Sequence, residues 1–236
     1  MNIKKIKQNC WLWTKRLVVG FFILSIVSTI LFRFIPVPCT PLMLIRCTEQ
    51  VFSGEFPILK KDWIPMKDMS SNLVLAVISS EDQKFAEHFG FDFEAIEKVA
   101  KLNEKLKKKG KPIKGGSTIS QQCAKNVFLF PQRSYIRKAL EVYFTFLIEI
   151  FWSKKRIMEV YLNVIEMGNG IYGAQAASKT YFKKDAKNLT AAEAATIAAV
   201  LPNPRKWNAG KPSSYITKRK NSILRQMSHL RGTVEL

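Results

Sequence analysis

The feature that most constrains this chain is a run of sixteen uncharged, mostly apolar residues between Arg16 and Arg33. A helix needs roughly 20 such residues to cross the hydrocarbon core of a bilayer. The tryptophans before the run and the apolar residues after it extend the hydrophobic zone, and flanking arginines can snorkel to the interface. The sequence therefore predicts a transmembrane helix over residues 17–35.

The residues on either side of this run predict its orientation. Five lysines and arginines precede it, which favours a cytoplasmic N-terminus. A cleavable signal peptide is the alternative, but the run is followed by FRFIPVP and not by a small-x-small cleavage site. We therefore expect a cytoplasmic N-terminus (1–16), an uncleaved anchor (17–35), a proline-rich, membrane-proximal linker (36–68) and an extracytoplasmic domain (69–236).

The charge of the chain requires an anionic partner. Lysine and arginine number 38 against 18 aspartates and glutamates, a formal net charge of +20. Charge alone favours nucleic acid, with anionic lipid or a phosphorylated substrate as the other choices. Because the predicted anchor places the basic domain outside the cytoplasm, we expect no nucleic acid and favour an anionic membrane and a phosphorylated substrate.

The four cysteines and two histidines carry little information. No Cys/His spacing is typical of a zinc site. Cys39 and Cys47 are eight residues apart, so a disulfide is geometrically possible, and two ordinary thiols are the alternative. Cys123 lies in a predicted helix and is expected to pack as a small side chain.

Helix signals dominate the sequence after the linker. Polar residues that can cap a helix precede apolar stretches at regular intervals, and two of them, Thr118 with Gln121 and Thr190 with Glu193, have capping-box spacing. No period-2 strand pattern of useful length occurs, so we predict an all-α domain. The predicted caps are Ser70 or Ser71, Asp92, Ser117 or Thr118, Ser134, Ser153, Thr190, and Ser213 or Ser214.

Two adjacent carboxylates, Glu81 and Asp82, end the apolar helix NLVLAVISS. A carboxylate beside an apolar wall can act as a general base, because desolvation raises its pKa toward neutrality. Alone, the pattern favours a solvated helix end. A carboxylate there opposes the helix dipole, however, which hints at another use.

Two further clusters suit the binding of anions. Gly115, Gly116 and the hydroxyl residues that follow expose backbone N–H groups at a helix N-terminus, although a flexible, well-capped loop has the same pattern. Arg137, Lys138 and Glu141 share one helix face, as in a surface ion-pair ladder. Because that helix continues into the apolar FTFLIEIFW, we expect them to line a cleft instead.

Five motifs in order give a resemblance to a known family. They are EDQKFAEHFG, GGSTISQQ, RSYIRKALE, RIMEVYLN and the later GNGIYGAQAAS with LTAAEAATIAAVLPNP. With them the chain resembles, over about residues 50–210, the lysozyme-like peptidoglycan glycosyltransferases, which include monofunctional transglycosylases and the first catalytic domain of class A penicillin-binding proteins. The resemblance implies a bilobal, all-α domain after one transmembrane helix.

The resemblance also implies site residues. Glu81 would take the proton from the 4-hydroxyl of the acceptor sugar, and Glu141 would assist at the pyrophosphate of the donor. A divalent Mg or Mn ion at Glu141 is compatible with this, and no organic cofactor is implied. The residues implied to bind substrate, the basic ones through its phosphates, are Asp82, Phe85, His88, Gly116, Ser117, Thr118, Gln122, Lys125, Asn126, Arg133, Arg137, Lys138, Glu159 and Tyr161.

The function implied is polymerisation of lipid II into β-1,4-linked glycan strands, with inversion and release of polyprenyl diphosphate. Lipid II, the growing glycan, the anionic membrane and other cell-wall synthesis or division proteins would be the partners, at the outer face of the bacterial cytoplasmic (inner) membrane. Two alternatives are a lysozyme-like peptidoglycan hydrolase and a non-catalytic, membrane-bound cell-wall scaffold. The basic residues around Glu141 disfavour the hydrolase, because a neutral glycan link has no pyrophosphate to neutralise.

Overall fold

A computed structural model describes residues 3–110, 115–132 and 134–233 of the chain, with the backbone alone for residues 3–6 and 10. The chain divides into two compact units at Pro36. The N-terminal unit is one helix, α1 (Ile3–Phe34). Its stretch Lys7–Phe34 has a mean hydropathy of 2.3 and is long and apolar enough to cross a membrane. The predicted transmembrane helix is confirmed as a helix, which begins earlier than the apolar run.

The second unit is mainly helical, and each helix predicted from a cap is confirmed. Asp92, Thr118, Ser134, Ser153, Thr190 and Ser213 all accept a hydrogen bond from a backbone N–H in the first turn of the helix that follows. The helices are α2 (Pro41–Phe52), α3 (Ser71–Glu81), α4 (Phe93–Lys108), α5 (Ile119–Phe128), α6 (Tyr135–Phe151), α7 (Lys154–Val164), α8 (Ala174–Phe182), α9 (Ala191–Val200) and α10 (Ser214–Leu230).

The segment 36–68 is more ordered than the linker that its prolines suggested. It contains the twelve-residue helix α2, which starts at Pro41 and is capped by the side chain of Thr40. Proline favours the first position of a helix, because its fixed φ suits that position and its missing N–H is not needed there. A 3-10 turn at Met66–Asp68 then leads into α3. These elements and α8 were not predicted from the sequence.

A small sheet accompanies the helices. Its strands are β1 (Lys60–Lys61), β2 (Glu166–Gly168) and β3 (Ile171–Tyr172), in the order β1-β3-β2. β1 pairs with β3 in parallel and β2 pairs with β3 antiparallel. Strands of two or three residues are too short to show a period-2 pattern, so the sheet escaped sequence analysis without altering the all-α class.

The helices that matter for function form two packed groups. One group contains α3, α9 and α10, and the other contains α5, α6 and α7. Alanines of α9 such as Ala194, Ala195 and Ala198 are fully buried, which allows its neighbours to approach closely. Cys123 of α5 is fully buried, as expected, whereas Cys39 and Cys47 are separate free thiols.

Gly173, which precedes α8, is fixed by its backbone. Its φ is +81°, and a Cβ there would lie 2.7 Å from the backbone oxygen of Asn163. A positive φ costs an L-residue roughly 1–2 kcal/mol and overpacking adds roughly 1–3 kcal/mol, so at about 3 °C per kcal/mol Gly173→Ala should lower the melting temperature by about 6–15 °C. Circular dichroism of the protein in detergent measures this.

Gly54 offers a matched control for the same substitution. Its φ is +75°, but nothing lies within 4 Å of a Cβ built there. Gly54→Ala should therefore show only the backbone cost, a fall of about 3–6 °C at the same conversion. Equal losses in the two variants would contradict a steric role for the contact between Gly173 and Asn163.

Candidate active site

Glu81 is the last residue of α3, and its side chain is mostly buried. The helix before it is embedded in the core through Leu73, Val77 and Ile78, and the Glu81 side chain itself is only 13% exposed. The amide of Gln122 donates a hydrogen bond of 3.0 Å to Oε2 of Glu81. This helix end is therefore not solvated, contrary to what the local pattern favoured.

The electrostatics of Glu81 suit a base. Burial raises the pKa of the Glu81 carboxyl, because desolvation disfavours its charged form. The hydrogen bond from Gln122 and the charges of Arg219 and Lys125 act in the opposite direction and favour the carboxylate. The carboxylate is therefore shielded from water and still favoured in its charged form by three neighbours, an arrangement that suits a general base.

Asp82 ties three segments together next to Glu81. Its Oδ2 accepts the backbone N–H of Ile119 at the start of α5, at 3.0 Å. Nε2 of His88 lies 3.0 Å from each carboxylate oxygen of Asp82. Phe85, fully buried, packs edge-on to the imidazole ring. The carboxylate of Asp82 is therefore buried, and it positions the start of α5 and the loop that carries His88.

Thr118 links the start of α5 to the loop at Gly90. It caps α5 in a complete capping box with Gln121, and its hydroxyl also donates to the backbone oxygen of Gly90 at 2.7 Å. Gly116 and Ser117, immediately before it, are half-buried. The anion site predicted at these residues stays a prediction. Residues 111–114 of the basic segment before them lie outside the described part of the chain.

One face of α5 carries three of the predicted site residues, Gln122, Lys125 and Asn126. The Asn126 amide donates a hydrogen bond of 2.7 Å to the backbone oxygen of Gln122. The Tyr161 hydroxyl donates to Oε1 of Gln122 at 3.4 Å. Asn126 and Tyr161 thus hold Gln122 in place while its amide nitrogen donates to Glu81. The structure brings these three residues together beside Glu81, and their role in binding substrate stays a prediction.

Lys125 lies in the field of both glutamates. Burial lowers the pKa of its ammonium group, and the nearby charges of Arg137 and Lys138 lower that pKa further. The negative charges of Glu141 and Glu81 act in the opposite direction. Among the described residues, no hydrogen bond to the Lys125 ammonium group is present. This cation is therefore available to an anionic ligand.

Glu141 is buried between two cations. Its side chain is 3% exposed, Arg137 Nη1 lies 2.5 Å from Oε2, and Lys138 Nζ lies 2.5 Å from Oε1. With Lys125, whose ammonium group lies in the field of Glu141, three cations act on one carboxylate, so the cluster has a net positive charge. A surface ion-pair ladder is excluded. Arg133, the fourth predicted cation, lies outside the described residues.

The protein side chains do not fit a protein-held metal ion at Glu141. Both of its oxygens are engaged by cations, which repel a metal ion. Within the described ranges, no group of three or more His, Cys, Asp or Glu side chains is placed to hold one. The Mg or Mn ion considered from the sequence stays a prediction.

Two predicted substrate residues are engaged by other residues of the protein. Oε2 of Glu159 accepts the backbone N–H of Met66 at 2.8 Å, and its Oε1 pairs with Arg156. Tyr161 is fully buried behind Gln122. In this arrangement Glu159 anchors the 3-10 turn before α3, and Tyr161 supports Gln122.

Sequence reasoning missed three residues of the site. Arg219 of α10 has its Nη2 3.8 Å from Oε1 of Glu81. Glu149 is buried and pairs with Ser120 and with Lys154, whose ammonium group also donates to the backbone oxygen of His88 at 2.6 Å. A single glutamate inside FTFLIEIF was a signal for Glu149, whereas nothing near Arg219 in the sequence points to Glu81.

Known proteins match this chain over most of its length. The family profile described as Transglycosylase matches residues 51–228. Proteins named biosynthetic peptidoglycan transglycosylase are similar to it. The one from Bacteroides thetaiotaomicron is 54% identical over 97% of this chain and 89% of its own length. The one from Bdellovibrio bacteriovorus is 52% identical over 92% of this chain and 85% of its own length. The one from Yersinia pseudotuberculosis is 45% identical over 98% of this chain and 95% of its own length.

Proposed function

The chain belongs to the transglycosylase family, and from this we infer that it is a peptidoglycan glycosyltransferase that polymerises lipid II into β-1,4-linked glycan strands. The observation that carries the proposal is that Lys125 of α5 lies in the field of both a buried carboxylate, Glu81, and the cation cluster around Glu141. Glu81 ends α3 of one helix group, and the cation cluster lies on α5 and α6 of the other. A glycosyl transfer from a pyrophosphate needs both chemistries.

The reaction follows from these two parts. Glu81 takes the proton from the 4-hydroxyl of the acceptor sugar, and the oxygen attacks the anomeric carbon of the donor. The bond between that carbon and the pyrophosphate oxygen breaks as the new glycosidic bond forms. One displacement converts an α-linked donor into a β-1,4 product, and polyprenyl diphosphate leaves with the electron pair.

The leaving group develops negative charge, which the cation cluster can stabilise. Lys125, Arg137 and Lys138 carry three positive charges against the single charge of Glu141. Arg137 and Lys138 are held in place by Glu141 before substrate arrives, so little reorganisation is needed during the reaction. Phosphate oxygens are suitable acceptors for these donors.

An exposed apolar face supports an active site at the membrane surface. Val142, Phe146 and Ile150 recur every four residues along α6 and are 43–51% exposed, although Phe144, Leu147 and Ile148 of the same helix belong to the core. The ring of Phe89 packs edge-on to Phe146. Such a face fits contact with lipid.

The location that we propose combines this face with the apolar helix α1. The enzyme would be a single-pass protein of the bacterial cytoplasmic membrane, with its N-terminus inside and its catalytic domain on the outer face. Its positive charge would attract the anionic lipid surface. The growing glycan and lipid II are its substrates, and other cell-wall synthesis or division proteins are further proposed partners.

Purified full-length protein in detergent tests the function directly. With labelled lipid II we expect long glycan strands that a muramidase digests back to disaccharide-peptide units, which identifies the β-1,4 bond. The control is incubation with preformed glycan strands. Shortening of those strands, with no polymer formed from lipid II, would identify a hydrolase instead, and no change in either substrate would favour a scaffold.

A further inference from the structure

The carboxylate of Glu81 is held from two sides by residues far apart in the sequence. Gln122 of α5 donates a hydrogen bond to Oε2. On the other side, α10 packs against α3 and α9, and brings Arg219 Nη2 to 3.8 Å from Oε1. The end of α3 and the first halves of α5 and α10 therefore meet at the carboxylate of the proposed base.

The contact with Arg219 differs from an ordinary surface ion pair. The side chains of Arg219 and Glu81 are 30% and 13% exposed. Nε of Arg219 is buried and has no hydrogen-bond partner among the described residues. A distance of 3.8 Å is an ion pair without a hydrogen bond, so Arg219 itself does not occupy a lone pair of Oε1.

We propose that Arg219 is a positioning residue that holds the Glu81 carboxylate ionised and oriented, with Oε1 available to the acceptor hydroxyl. This rests on the proposed role of Glu81 as the base. Gln122 fixes one oxygen through a directed bond, and Arg219 supplies positive charge beside the other. Lys125 of α5 is the other cation whose charge acts on Glu81, and in the proposed mechanism it binds the donor pyrophosphate.

The expected pH effect has a definite direction. The titratable and charged groups that face Glu81 are Arg219 of α10, Lys125 of α5 and Tyr161 of α7, with Asp82 next to it in the chain. A neighbouring cation lowers the pKa of a carboxyl, so the loss of Arg219 raises the pKa of Glu81. A base must be deprotonated to act, so activity should then fall first at low pH.

The experiment is a pH profile of kcat/KM for polymerisation of lipid II by Arg219→Gln. We expect kcat/KM about tenfold below wild type at pH 6 and within about threefold at pH 8.5, because the acidic limb moves to higher pH. Arg219→Lys keeps the charge and should restore the limb. An unchanged limb in Arg219→Gln would overturn the proposal.

Lys218→Gln is the matched control, because Lys218 is the exposed neighbour on the same helix. It removes one positive charge and should follow the wild-type profile. If it shifts the limb as much as Arg219→Gln does, the effect is general surface charge and the proposal is overturned. Should Arg219→Gln fail to fold, Arg219→Met keeps the aliphatic stem and carries the same prediction.

The failure of this inference differs from the failure of the base assignment. If Glu81→Gln retains polymerisation, the base assignment is wrong and the inference falls with it. If Glu81→Gln is inactive but Arg219→Gln has the wild-type acidic limb, only the role of Arg219 is wrong.

Discussion

Glu81→Gln is expected to lower kcat for glycan polymerisation by about 10²–10⁴-fold, the usual contribution of a general base. Glutamine keeps the shape of the side chain and can still interact with Gln122, but it cannot accept the proton of the acceptor hydroxyl. Synthesis of labelled glycan from lipid II by wild type and variant at pH 7.5 measures the loss. A rate within about threefold of wild type would show that Glu81 is not the base.

The stability of the same variant distinguishes a catalytic loss from misfolding. Because burial raises the pKa of Glu81 in the folded state, the fold binds a proton at this position more tightly than the unfolded chain does. The free energy of unfolding therefore decreases as the pH rises through that pKa. Glutamine stays neutral and avoids this loss, so at pH 7.5 the variant should melt at or above the wild-type temperature.

Glu87→Gln is the matched control for Glu81→Gln. Glu87 lies six residues later in the same segment, and it is exposed. The same chemical change there should leave both the polymerisation rate and the melting temperature at wild-type values. A comparable loss of rate in Glu87→Gln would show that the segment responds to charge in general, and not to the loss of a base.

Local sequence signals predicted the helices of this fold well. A capping side chain such as Thr118 or Asp92 acts on backbone N–H groups two or three residues away, so the sequence contains the whole interaction. Helix α2 was missed because its prolines suggested a linker, although Pro41 occupies the one helix position that favours proline.

The candidate site could be predicted only where its contacts are local or where a family motif marks them. The ion pairs of Glu141 are local, since Arg137 and Lys138 lie four and three residues before it on α6. This spacing predicted that the three side chains share one face of the helix. Burial of Glu141, however, depends on packing that its spacing does not specify. The pairing of Arg219 with Glu81 joins helices far apart in the sequence, and an arginine in the basic helix α10 has no local feature to distinguish it.

Glu141→Gln should have the second largest effect, a loss of about 10²-fold in kcat, as for removal of one element of a preorganised electrostatic site. Without the carboxylate, Arg137 and Lys138 repel each other and lose the partner that fixes them where the leaving pyrophosphate must lie. The site also becomes more positive, so binding of the anionic substrate should not weaken. We therefore expect kcat to fall while KM stays level or decreases, which initial rates over a range of lipid II concentrations would measure.

The matched control for Glu141→Gln is Glu149→Gln, since Glu149 is a second buried carboxylate on α6 that pairs with a lysine. Its partners, Ser120 and Lys154, brace the start of α5 and the loop at His88, so its loss should lower the melting temperature more than that of Glu141 does. Glu141→Gln has a smaller stability cost, about 1–2 kcal/mol, because Lys138 is 47% exposed and can turn to solvent. If Glu141→Gln raises KM and leaves kcat intact, the carboxylate only helps to bind substrate. If it loses activity only in proportion to stability, the cation cluster is part of the scaffold and the leaving group must be stabilised elsewhere.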